Sequence, residues 1–156
     1  CPAVPDHLSA GRLPTLGYSR HALIEFAPDV SPAEIEEAAD RLYRAGYTPV
    51  LAHVERYRRL IRSPKRAMAL REEYGILYQM NCNTVLYPRG LRTRYFIWRM
   101  LRERAIDLIA SDAHDANARP VRMRAAYKCI AERYGTAYAR RLMCGGGSLL
   151  GIGRDQ

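Results

Sequence analysis

Apolar and polar positions along the chain follow two alternating periods. His21-Ala22-Leu23-Ile24, Tyr47-Thr48-Pro49-Val50-Leu51-Ala52, Gly75-Ile76-Leu77-Tyr78-Gln79-Met80 and Ala105-Ile106-Asp107-Leu108-Ile109-Ala110 are short, mostly apolar runs. Such runs read as strands buried on both faces of a parallel sheet. Pro49 counts slightly against the second, since proline has no N–H for a ladder. Between these runs the period becomes helical. Ser31-Pro32-Ala33-Glu34 is a capping box with proline at the first helical position, and Ile35, Ala38, Leu42 and Ala45 recur at helical spacing until Gly46, which predicts a helix over 32–45. Leu91 to Arg104 carries Phe96, Ile97, Met100 and Leu101 on one stripe, and Val121 to Tyr134 reads as a helix after the last strand.

The plan is βαβαβαβα, an α/β chain of four β/α units, which implies a parallel sheet with right-handed crossovers, either doubly wound or part of a barrel. Both architectures keep chemistry at the carboxyl ends of strands. Polar residues stand at those ends: Glu25 after the first strand, His53 after the second, Asn81 after the third, and Ser111-Asp112-Ala113-His114 after the fourth. Gly145-Gly146-Gly147 marks a break, so one domain over 1–144 and a flexible tail over 145–156 are expected.

Composition narrows the class. With 156 residues, 48% hydrophobic and 26% charged, the chain suits one packed domain rather than a disordered tail. Charged residues interrupt every apolar stretch well short of the roughly 20 residues a membrane helix needs, so a soluble protein without membrane insertion is expected. Cys1, Cys82, Cys129 and Cys144 show no C-x-x-C spacing, which fits reduced thiols in a cytoplasm. The chain opens on Cys1 with no basic start or apolar run, so it has no signal peptide there and is expected to lack its front end. The net charge of +9 comes almost wholly from arginine, with Lys65 and Lys128 the only lysines. These residues are spread along the chain rather than clustered, which argues against nucleic acid, although a basic surface steers acidic or phosphorylated partners.

Asp112 and His114 are separated by one residue just past a strand, where alternate residues point the same way. Carboxylate oxygen and imidazole nitrogen together suit a divalent ion such as Mn, Fe or Zn. An isolated D-A-H reads equally as a helix cap and a loop histidine. His53 and Glu25 at equivalent strand ends shift the balance to a metal cluster, because four unpaired polar groups in one buried mouth would be costly. Arg56 follows His53 by three positions and Arg119 follows His114 by five. Guanidinium forks bind phosphate bidentately, so the combination points to phosphoryl transfer to water. Arg56 lies in Glu55-Arg56-Tyr57-Arg58-Arg59, which reads as well as a solvated helix face. His7 and His21 are read as structural. A cysteine nucleophile would need Arg six positions later, but Cys82 is followed there by Pro88 and Cys129 by Gly135. Metal-activated water is the better nucleophile.

Leu23-Ile24-Glu25-Phe26, Leu51-Ala52-His53-Val54-Glu55-Arg56-Tyr57, Gln79-Met80-Asn81 and Ala110-Ser111-Asp112-Ala113-His114 together resemble the capsule and exopolysaccharide-biosynthesis tyrosine phosphatases of the polymerase-and-histidinol-phosphatase (PHP) superfamily. The resemblance runs from about Pro5 to about Leu142. It implies the C-terminal portion of a distorted (β/α)7 TIM-like barrel whose carboxyl-end mouth holds divalent metals, usually manganese. Glu25, His53, Asp112 and His114 match metal-ligand positions, with Asp112 and His114 at the catalytic centre. Arg56 and Arg119 match the phosphate-holding arginines, and Asn81 matches a supporting motif. The implied substrate is a phosphotyrosine protein, typically a bacterial tyrosine autokinase that controls polymer export. The family's N-terminal His-x-His strand has no counterpart here, nor does a further carboxylate expected shortly before Pro5, and Val54 stands where a proline is usual. The expectation is therefore a truncated form that binds metal weakly and has little activity alone. Two other readings carry different tests: hydrolysis of a small phosphate monoester such as histidinol phosphate, and a non-catalytic basic module binding nucleic acid or an acidic partner.

Overall fold

Each predicted apolar run supplies a strand in the computed structural model, which describes residues 15–16, 19–111 and 120–149. The order is β1 (His21–Ile24), α1 (Pro32–Arg44), β2 (Thr48–Leu51), a 3-10 turn (Val54–Arg56), α2 (Arg58–Arg62), α3 (Pro64–Tyr74), β3 (Leu77–Asn81), α4 (Cys82–Leu86), α5 (Leu91–Arg102), β4 (Leu108–Ala110), α6 (Pro120–Tyr134) and α7 (Thr136–Leu149). The four strands are parallel and lie in sequence order, β1-β2-β3-β4. Among the described strands this order contains no reversal of the kind that marks the switch point of a doubly wound sheet. No helix among the described residues is long and apolar enough to cross a membrane.

Local chemistry explains the first unit. The Ser31 backbone N–H donates to Glu34 Oε2 at 2.9 Å while the Glu34 N–H donates to Ser31 Oγ at 3.3 Å, the reciprocal pair of a capping box. Helix α1 buries Ile35, Ala39 and Leu42, a stripe that passes through Ala39 where the sequence reading had Ala38. It stops at Gly46, whose φ of +79° favours glycine, and an added Cβ there would lie 2.8 Å from Arg20 Nη1. Pro49 is tolerated inside the sheet because of its parity. Thr48 N–H donates to Arg20 O and Ala52 N–H to Ile24 O, so even positions serve β1. Position 49 therefore faces β3, whose pairing begins only at Val50↔Leu77.

Side chains alternate across the sheet. Tyr78 and Met80 of β3 enter the main apolar core, and Tyr78 Oη donates to Ala67 O of α3 at 2.7 Å. Gln79 and Asn81 take the other face, level with Leu108 and Ala110 of β4. Helix α5 supplies Phe96, Ile97, Met100 and Leu101 to the core, all fully buried, as its stripe predicts. Its junction with α6 is aromatic: the Arg133 guanidinium lies 4.3 Å from the Trp98 ring centre, and Tyr134 Oη donates to Trp98 O at 3.2 Å.

Strand β4 has three residues, not the six of its apolar run. Ala105 and Ile106 are buried, but Ala105 N–H is spent on Met100 O in closing α5. Asp107 then joins β3 through its side chain as well as its backbone. Its N–H donates to Tyr78 O, its Oδ2 accepts from Tyr78 N at 2.9 Å, and Arg71 of α3 grips both carboxylate oxygens at 3.1 and 2.6 Å. Helix α7 continues through Gly145, Gly146 and Gly147 to Leu149, beyond the expected break. Each helical glycine costs about 1 kcal/mol, and the buried Tyr138, Ala139 and Leu142 anchor the helix ahead of them.

Candidate active site

The carboxyl ends of β1, β2 and β3 bring together most of the polar residues that the sheet buries or half-exposes. Past Leu51 the chain cannot continue as a strand, because His53 adopts φ 34° and ψ 59°. This left-handed conformation costs a non-glycine residue about 1 kcal/mol or more, and such residues cluster at functional sites. The turn is held from both sides. His53 N–H donates to Gln79 Oε1 at 2.6 Å, and His53 O accepts from Arg56 N–H at 2.8 Å. Gln79 is in turn fixed by donating its Nε2 to Asn81 Oδ1 at 2.8 Å.

So held, the His53 imidazole is buried while its Nε2 lies 2.8 Å from Glu25 Oε1. The Glu25 side chain is 63% exposed. One buried nitrogen and one open carboxylate oxygen thus face each other at the mouth. His53 Nδ1 is buried with no hydrogen-bond partner among the described residues. Tyr57 backs the pair: its ring centre is 6.0 Å from that of His53, and its Oη accepts from Phe26 N–H, next to Glu25.

Glu55 and Gln79 are the functional candidates that sequence reasoning missed. Glu55 belonged to a run read as a solvated helix face, and the structure divides that run: Glu55 and Tyr57 are buried, while Arg56, Arg58 and Arg59 are exposed. Glu55 Oε1 accepts from Asn81 N–H at 3.1 Å, tying the 3-10 turn to the end of β3, and Oε2 is buried with no well-formed hydrogen bond among the described residues. Burial pushes its carboxyl up to about 7 against the opposing pull of its own and the Asn81 backbone N–H, Thr84 and Arg56. Two buried side-chain acceptors thus make separate ties, Glu55 to the Asn81 backbone and Gln79 to the His53 backbone. Their spacing of 26 residues from their partners leaves no local signal.

Of the six residues expected at the site, Glu25, His53 and Arg56 lie together here. Asp112, His114 and Arg119 lie outside the described residues, between Ser111, which follows β4, and Pro120, which opens α6. Among the described residues no three His, Cys, Asp or Glu side chains gather as a metal shell. Glu25 and His53 supply two donors of the mixed oxygen and nitrogen kind that Mn, Fe and Zn accept. His21 makes only a local contact, Nδ1 to Ser19 Oγ at 3.0 Å. Among the described residues, Cys82, Cys129 and Cys144 form no disulfide.

Known proteins match this chain over the same elements. It is 36% identical over 146 residues to the tyrosine-protein phosphatase CpsB of Streptococcus pneumoniae, covering 88% of this chain and 58% of that protein. It is 29% identical over 133 residues to the tyrosine-protein phosphatase YwqE of Bacillus subtilis, covering 85% and 52%. A solved structure from the pair YwqE of Bacillus subtilis and CpsB of Streptococcus pneumoniae, described as unique metal-dependent tyrosine phosphatases, superposes with a TM-score of 0.83 at 27% identity, over 96% of this chain and 60% of that one. The chain thus spans little more than half the length of these relatives. The sequence model for capsular polysaccharide synthesis, CpsB/CapC, matches residues 2–150, and the chain belongs to that family.

Proposed function

We propose that the chain carries part of the active site of a metal-dependent protein-tyrosine phosphatase, and that its four β/α units are part of a (β/α)7 barrel. The strand order supports the barrel: an unreversed β1-β2-β3-β4 parallel run is how such barrels are built, with chemistry at the carboxyl ends. The observation that carries the function is the His53 to Glu25 approach, 2.8 Å across the carboxyl ends of β1 and β2 on a strained turn. A nitrogen and a carboxylate oxygen so placed suit a shared divalent ion. Glu25, His53, Asp112 and His114 are the proposed ligands, manganese the first choice, iron or zinc the others. When bound, the metal supplies a coordinated water acidified enough to attack at neutral pH.

The protein's own part is orientation. Gln79 fixes the His53 backbone, and Asn81 fixes Gln79, so the imidazole keeps one direction. Arg56, exposed beside His53, and Arg119 hold the phosphate by forked hydrogen bonds. The substrate is a phosphotyrosine protein, in the family's setting a tyrosine autokinase of polymer synthesis in the cytoplasm.

The test is phosphate release from a phosphotyrosine peptide, by this chain and by the chain extended at its amino end to the length of its relatives. Manganese-dependent release by the extended protein, abolished in H53A and weak in the short chain, is expected. Release that survives EDTA or the H53A substitution overturns the reading.

A further inference from the structure

Beside the candidate metal mouth lies a second feature, a cleft of about 540 Å³ lined by Glu55, Arg56, Asn81, Asn83, Thr84, Tyr87, Arg89, Thr93 and Arg122. Its arginines come from three separate places: Arg56 from the 3-10 turn, Arg89 from the segment between α4 and α5, and Arg122 from α6. All three are exposed. Among the described residues Glu55 is the only carboxylate in the lining, and it lies buried with one oxygen committed to Asn81 N–H. Among the described lining residues Arg89 and Arg122 therefore bring positive charge to the rim with no exposed carboxylate beside them. Among the described residues neither Arg89 nor Arg122 forms an ion pair.

Arg122 is nonetheless held. Its Nη1 donates to Asn83 Oδ1 at 3.1 Å, so α4 aims a guanidinium carried by α6. Arg89 and Arg122, like charges carried to one opening by separate elements, repel each other, and an anion entering the opening relieves that repulsion. Thr84 and Thr93 add hydroxyl donors, and Tyr87, 70% exposed, offers an aromatic face at the edge. The volume is that of a ligand site for a group larger than one phosphate, and it adjoins Arg56, the residue proposed to hold the scissile phosphate.

We infer that Arg89 and Arg122 form a specificity site for a second anionic group carried on the same polypeptide as the scissile phosphotyrosine. The group is a carboxylate or a second phosphate a few residues along the substrate, with Tyr87 and the threonines packing the backbone between. The inference rests on the phosphotyrosine reading above and adds its sequence preference. It assigns Arg56 to both ends of the ligand and Arg89 and Arg122 to the distal end alone.

Three fluorescent peptides separate the possibilities: one phosphotyrosine with neutral flanks, one phosphotyrosine with flanking glutamates, and one carrying two phosphotyrosines. Binding is measured by anisotropy in EDTA, so no turnover intrudes. The protein should bind the two doubly anionic peptides about tenfold more tightly than the neutral-flanked one, a gain of the size expected for one added charge-assisted contact. The R89A/R122A double variant should erase that difference and leave the neutral-flanked affinity unchanged, and R56A should weaken all three. The ratio between the glutamate and two-phosphate peptides tells carboxylate from phosphate. A wild-type preference below twofold, or an equal loss for every peptide in R89A/R122A, overturns the inference. An unphosphorylated acidic peptide that binds as tightly and loses affinity in R89A/R122A keeps the cleft as an anion site but sinks the phosphotyrosine reading. Both arginines are exposed, so circular dichroism of the double variant should match the wild type.

Discussion

The two ends of the β-sheet are built on opposite principles. At the amino end, Asp107 is saturated: both carboxylate oxygens face Arg71, and one also accepts from Tyr78 N–H. The Asp107 side chain is only 12% exposed, and among the described residues no buried side-chain polar atom at this end lacks a partner. At the carboxyl end, His53 sits in a left-handed conformation, its Nδ1 and Glu55 Oε2 are buried with no well-formed hydrogen bond among the described residues, and Glu25 stands open. One end holds the strands in register, and the other stores strain and unmet hydrogen bonds. The difference teaches where stability and chemistry are lodged in a parallel sheet, since a site that must accept a ligand cannot be satisfied without it.

Three changes would break or sharpen this contrast. Removing the amino-end clamp should have the largest effect. D107A leaves Arg71 half-buried and Tyr78 N–H without its acceptor, and should lower unfolding stability by about 3 kcal/mol in urea titration. A loss under about 0.5 kcal/mol, the level of a surface pair such as Arg41 with Glu37, would show that the clamp does not hold the sheet.

The second concerns Glu55, whose carboxyl burial pushes up to about 7. In the unfolded chain it titrates near the ordinary value of about 4.3. The folded group holds its proton longer, so its contribution to stability is full below the unfolded value and is lost as pH rises toward 7. Wild type should therefore lose on the order of 2 kcal/mol relative to E55Q between pH 4.5 and 7, since each pKa unit is worth about 1.4 kcal/mol. Parallel stability curves for the two proteins would show that Glu55 is not strained by burial.

The smallest effect tests the strained turn. At φ 34° alanine is as poorly accommodated as histidine, whereas glycine is not. H53G should be more stable than H53A by about 1 kcal/mol, while both lose any binding of manganese. Equal stabilities would mean the turn relaxes when the imidazole is gone.

Much of this was legible in the residues. The capping box at Ser31 and Glu34, the α5 stripe and the β/α alternation are local signals, each written within one or two helical turns. Glu25 and His53 were also legible, because the ends of buried strands mark the places where polar residues have a reason to stand. Glu55 and Gln79 were not. Their burial follows from a reversal of chain direction at His53 that brings position 55 under position 81, and no periodicity within Glu55-Arg56-Tyr57-Arg58-Arg59 encodes a partner 26 residues away. The shortened β4 has a similar origin: Ala105 and Ile106 are as apolar as a strand requires, yet Ala105 N–H closes α5 on Met100 O and Ile106 O accepts from Tyr138 Oη. Asp112, His114 and Arg119 lie outside the described residues, and their roles stand on the sequence pattern.

The junction between α5 and α6 gives the molecule its own optical gauge. Trp98 is the only tryptophan in the chain, and its indole lies under a guanidinium with Tyr134 bonded to its carbonyl. It is not among the residues that line the cationic cleft. Excitation at the red edge of the protein spectrum therefore reads the packing of one helix pair and nothing else. Emission that shifts when peptide fills the cleft would mean that α5, which carries both Thr93 and Trp98, moves as one lever.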